Sequence, residues 1–117
     1  MYPEPRQVAL LLAVMITRAG KTRARISEKT IRVISSRTTL RDAFVGNVRV
    51  WLEEFGVQMV RLERGGFALI AIEALEGAPV ILARNFIGNE RRQLLSGDLD
   101  EDALYGELGI GRDSEDD

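Results

Sequence analysis

At Gly56 the spacing of the apolar residues changes from helical to extended, and nothing else in the sequence narrows the fold as far. Before it, apolar residues recur every three or four positions. After it, residues 57–64 and 67–75 are rich in β-branched and aliphatic side chains and flank Gly65-Gly66. Two glycines between two such runs signal a β-hairpin, because a two-residue turn needs positive φ at both positions. A chain of 117 residues with 45% hydrophobic residues can build one compact domain with tails. The expected class is therefore α+β, with helices first and a hairpin after them.

The helical part divides into three. Pro3 and Pro5 suit a helix entry, and Val8, Leu11, Leu12, Met15 and Ile16 then follow the period of a helix with one broad buried face, ended by Gly20. Residues 21–26 are short, basic and partly β-compatible, so a loop or a brief edge strand is expected. Ser27 offers an N-cap, with Glu28 in the first turn, for a second helix buried through Ile31 and Ile34 and broken at Ser35-Ser36. Thr39 is the N-cap candidate for a third helix, with Asp42 three residues on. There Leu40, Phe44, Val48, Trp51, Leu52 and Phe55 keep helical spacing, and Gly56 ends the helix. Residues 76–79 read as a turn, and residues 80–83 as a third strand or the start of a helix. Residues 89–95 and 100–108 read as short helices, the latter capped by Asp98 or Asp100. Three segments result: 1–77 as the main domain, 78–111 as an extension that packs back or dimerises, and 112–117 as an acidic tail without apolar residues, expected to be disordered.

A net charge of −2 conceals a strong polarity. Residues 1–64 hold 12 Lys and Arg against 6 Asp and Glu, whereas residues 65–117 hold 4 against 12. Between positions 18 and 49, nine basic residues (Arg18, Lys21, Arg23, Arg25, Lys29, Arg32, Arg37, Arg41 and Arg49) accompany only Glu28 and Asp42. Such a distribution points to a surface for a polyanion joined to an acidic segment.

Several chemistries are disfavoured. Without cysteine there is no disulfide and no thiolate metal site. Without histidine the commonest general base, the commonest transition-metal ligand and the Ser-His and Cys-His pairings are missing. An enzyme is not expected, nor is a cofactor. Asp98, Asp100 and Asp102 begin like a calcium loop, but Ala103 stands at the turn glycine and Gly109 at the bidentate glutamate. Gly109-Ile110-Gly111 lacks the strand and helix of a nucleotide motif. The apolar residues 8–16 are too few to span a bilayer. Glu4 before them and four basic residues after them oppose the charge order of an export leader. A buried helix and a cytoplasmic protein are expected.

The order of three helices and a hairpin resembles the winged helix-turn-helix family. The resemblance rests on Ile26-Ser27-Glu28-Lys29-Thr30-Ile31, on Ser36-Arg37-Thr38-Thr39-Leu40-Arg41, on Trp51-Leu52-Glu53-Glu54-Phe55-Gly56-Val57 and on the hairpin tip Glu63-Arg64-Gly65-Gly66-Phe67. It covers about residues 6–75 and identifies an architecture rather than one protein. Gly46, midway along the third helix, departs from it, since glycine there costs roughly 1 kcal/mol relative to alanine.

The resemblance implies sequence-specific binding of double-stranded DNA and a role as a small transcriptional regulator. The third helix would enter the major groove and the wing would touch the backbone or minor groove. Arg37, Thr38 and Thr39 would lie at the start of the third helix. Arg41, Asp42, Val45 and Arg49 would lie on the face opposite Phe44, Val48 and Trp51, where the arginines could take guanine or phosphate. Lys29 would hold phosphate, and Arg64, more than Arg61, would anchor the wing. Leu94, Leu95, Leu99, Leu104, Tyr105 and Leu108 form an apolar series that packs back or makes a homodimer seam, setting two third helices about 34 Å apart. The alternative is an adaptor of the same architecture whose basic face meets an acidic protein, or whose own acidic tail covers that face.

Overall fold

The computed structural model describes residues 2–111. Residues 112–117, the tail expected to be disordered, lie outside the described residues. The described chain is α+β, with seven helices and one three-stranded antiparallel sheet. Its contacts separate two compact units, Met1–Ala78 and Pro79–Asp117. Among the described residues no helix is long and apolar enough to cross a membrane.

In the first unit, helix α1 (Pro5–Ala19) begins at a proline, and the Glu4 backbone N–H donates to Gln7 Oε1 at 2.9 Å. It buries Val8, Ala9, Leu12, Ala13 and Ile16. The expected buried face is thus rotated: Leu11 and Met15 stay 52% and 41% exposed. Helix α1 packs against helix α3 (Asp42–Glu54), and the small Ala9 and Ala13 allow two helix backbones to approach. The segment that read as a loop or an edge strand is strand β1 (Arg23–Ile26). Helix α2 (Glu28–Ser35) is capped by Ser27, whose Oγ accepts from the Thr30 N–H at 3.2 Å, and ends at Ser36 with φ of 56°.

Helix α3 starts at Asp42, later than the Thr39 cap implied, with Arg41 as N-cap and no capping side chain. Leu40 packs against the core from the connecting turn, so the chain becomes helical only after it. Phe44, Val45, Val48 and Leu52 are buried, and Phe55 is half-buried. Trp51, expected to face the core, is 40% exposed and stacks on Phe55 with ring centroids 6.3 Å apart.

Strands β2 (Val57–Arg61) and β3 (Phe67–Ala71) form the hairpin, and the sheet order is β1-β3-β2. Its inner face sets Phe67 and Leu69 beside Val57 and Met59 against the helices. The tip is not the expected two-residue Gly65-Gly66 turn. Arg61 pairs with Phe67, the Leu62 N–H donates to the Gly66 carbonyl, and the Gly65 N–H donates to the Leu62 carbonyl. Glu63 and Arg64 therefore form the tip, and Gly65, with φ of 100°, follows them as in a three-residue hairpin loop. Gly66 has φ of 79°, and a Cβ there would lie 2.6 Å from the Ile26 carbonyl oxygen of β1. Strand β3 stops at Ala71, short of the expected Leu75. The good helix formers Glu73, Ala74, Leu75 and Glu76 fall in helix α4 (Ile72–Glu76).

The second unit holds helices α5 (Ala83–Phe86), α6 (Gly88–Ser96) and α7 (Glu101–Glu107). Residues 80–82, read as a strand or a helix start, are irregular and lead into α5. Asp100 caps α7, its Oδ1 accepting from the Ala103 N–H at 3.1 Å. No described side chain in this unit is buried; Leu94 and Leu95 are 64% and 76% exposed.

Candidate nucleic-acid interface

The candidate residues gather chiefly around the turn between α2 and α3. One cavity of about 280 Å³ is lined by Tyr2, Arg37, Thr38, Thr39, Arg41 and Phe44. A shallower concavity beside it is lined by Lys29, Arg32, Val33, Ser36, Arg37 and Thr38. The late start of α3 is what places Arg37, Thr38 and Thr39 in this turn, rather than at the helix's first positions as expected. Lys29, Thr38, Thr39 and Arg41 are exposed there.

Arg37 is the centre of the turn rather than a free cation. Its guanidinium carbon lies 3.8 Å from the Phe44 ring centroid and 5.0 Å from that of Tyr2. Its Nη1 donates to the Pro3 carbonyl at 3.0 Å and reaches the Ser35 carbonyl at 3.4 Å. A guanidinium held between two rings and two carbonyls fixes the chain's start to the turn. It contributes positive potential to the cavity, with Nη1 held by the two carbonyls.

Two residues assigned to the outward face of α3 are not there. Val45 is only 3% exposed, because it shares the buried arc with Val48 and Leu52 at spacings of three and seven. Arg49 is half-buried, and its Nε donates to the Met59 carbonyl of β2 at 3.1 Å. Both corrections have one cause: α1 and β2 both pack against α3, which widens the arc the core claims. The apolar character of Val45, in step with Val48 and Leu52, was the available signal.

At the hairpin, Arg64 stands exposed at the tip and lines neither concavity. Arg61 is structural: it lies over Phe67, 4.8 Å from the ring centroid, and pairs with Glu28 at 3.5 Å. Glu28 also meets Arg32 at 3.6 Å, so one carboxylate ties the hairpin to α2. Among the described residues Lys29, Arg41 and Arg64 enter no ion pair.

Besides Glu53 and Glu54 at the helix's end, the exposed residues of α3 not marked from the sequence are Ala43, Asn47 and Val50. They follow helical spacing opposite the buried arc, a pattern visible once the helix is started at Asp42. Among the described residues no group of three or more acidic side chains is placed to hold a metal ion. Comparison of the chain with family models, with curated proteins and with solved structures finds no match.

Proposed function

We propose that the chain is a winged helix-turn-helix protein that binds double-stranded DNA as a small cytoplasmic transcriptional regulator. In this reading α2, its following turn and α3 are the helix-turn-helix, and β2 and β3 are the wing beside β1. One observation carries it: Lys29, Arg32, Arg37, Thr38, Thr39 and Arg41 line adjoining concavities at the turn that leads into α3. A duplex presents one phosphate charge per about 1.7 Å of axis, so its partner needs clustered cations and hydroxyl donors. Lys29 and Arg41 take phosphates, Thr38 and Thr39 donate to phosphate oxygens, and Arg64 meets the backbone or minor groove at the wing. The outward face of α3 enters the major groove. No residue is assigned to catalysis and no cofactor is invoked.

A homodimer belongs to the same reading, formed through the exposed apolar side chains of the second unit, Leu94, Leu95 and Leu108 among them. Sedimentation of the full chain tests it; a monomer at all concentrations removes the dimer without touching DNA binding.

The DNA reading is tested by anisotropy of a labelled random-sequence duplex, titrated with the full chain between about 50 and 200 mM salt. Binding should weaken steeply with salt, and Lys29→Ala and Arg41→Ala should each lower the log–log slope by about one. Absence of duplex binding at the lower salt overturns the reading.

A second reading, an adaptor that meets its partner through α3 rather than through the basic face, has one observation of its own. Val50 and Trp51 are 59% and 40% exposed on α3, next to Glu53 and Glu54, a surface suited to protein rather than phosphate. That alternative expects no salt-sensitive duplex binding in the same titration.

A further inference from the structure

We infer that Asn47 is the base-reading residue of α3 and that it selects an adenine–thymine pair; the inference rests on the DNA-binding reading above. The outward face of α3 limits which base edge it can read. Guanine is read in the major groove by the paired donors of arginine or lysine on O6 and N7. The only such side chain within α3 is Arg49, which is half-buried and held toward β2 by its Nε bond to the Met59 carbonyl at 3.1 Å. Arg41 precedes the helix at the N-cap, beside the hydroxyls of Thr38 and Thr39, where phosphate is the matching partner.

Asn47 is exposed on the outward face, and its amide makes no hydrogen bond among the described residues. A carboxamide offers one acceptor and one donor side by side, the complement of adenine N6 and N7. Ala43 and Val50, four positions before it and three after it, are exposed apolar side chains suited to the thymine methyl group. Asp42 lies in the first turn, where a carboxylate complements the helix dipole and is repelled by phosphate.

Gly46 precedes Asn47 in the helix. A Cβ there would meet nothing of the protein within 4 Å, so the chain's own packing gives no reason for glycine beside Asn47. A bare backbone at that point lets a duplex approach the helix more closely than alanine would.

The test is selection of bound duplexes from a random pool by the full wild-type chain and by Asn47→Ala and Asn47→Asp. The wild-type motif should contain an adenine that both variants lose. In a defined duplex, replacing that A·T pair by G·C should weaken wild-type binding roughly tenfold to hundredfold, whereas Asn47→Ala should bind the two duplexes alike. Because Asn47 is exposed, the thermal midpoint of each variant should stay within about 2 °C of wild type. A motif left unchanged by both substitutions overturns the assignment of Asn47 alone. Failure of the wild-type chain to retain any duplex overturns the DNA-binding reading as well.

Discussion

The turn between α2 and α3 and the tip of the β2–β3 hairpin both present arginine, but they are built in opposite ways. At the turn the side chain is the structure: Arg37 lies between Phe44 and Tyr2 and holds the Pro3 carbonyl. At the tip the backbone is the structure. Gly65 and Gly66 adopt positive φ, the latter directly against the Ile26 carbonyl, and Arg64 is left unused by the fold. A cation in a basic cluster is therefore not equivalent to a cation available for a ligand. Removing Arg37 must disturb folding, whereas removing Arg64 must not.

The largest effect should come from breaking the tip's backbone. Gly66→Ala forces a left-handed alanine whose Cβ overlaps a carbonyl, and should destabilise the chain by about 3 kcal/mol in urea unfolding. An unchanged midpoint would mean that β1 does not pin the hairpin. Next, Arg37→Ala should cost about 2 kcal/mol in the same assay through lost ring and carbonyl contacts. Arg37→Lys should recover less than half of that, since an ammonium lacks the planar fork. Full recovery by lysine would make the turn resemble the tip, a site where charge alone matters.

Two smaller changes sharpen the contrast. Gly46→Ala should raise stability by about 1 kcal/mol by relieving a helix-interior glycine, while weakening duplex binding in the anisotropy titration. A simultaneous gain in both would show that the bare backbone serves no contact. Arg64→Ala should leave stability within about 0.5 kcal/mol of wild type. Its effect should be confined to the salt dependence of duplex binding, lowering the slope by about one. A loss of stability at Arg64 would erase the distinction between the two regions.

Much of the frame was legible without coordinates because it depends on local physics. The apolar period of α1 through Ile16, the Ser27 cap and the change of period at Gly56 each involve residues within a turn or two of one another. The Asp100 cap of α7 is of the same kind. The hairpin was legible in position but not in geometry. The glycine pair signals positive φ, whereas only the pairing of Arg61 with Phe67 moves Glu63 and Arg64 to the tip. Lys29, Arg41 and Arg64 could be marked from charge alone. Val45 and Arg49 could not be sorted that way, since a helix's own period does not say how wide an arc its neighbours will cover.

The sequence alone determined the α+β class, the three leading helices, the hairpin and the separation of a basic first half from an acidic second half. These follow from spacing, capping and composition, which act over short stretches of chain. Which side chains remain free was decided only in three dimensions. Packing of α1 and β2 against α3 buries Val45 and draws Arg49 to a strand carbonyl. The distant Pro3 and Phe44 claim Arg37. Exposure is settled by whatever arrives from elsewhere in the chain, and those arrivals leave no mark in the local pattern of residues.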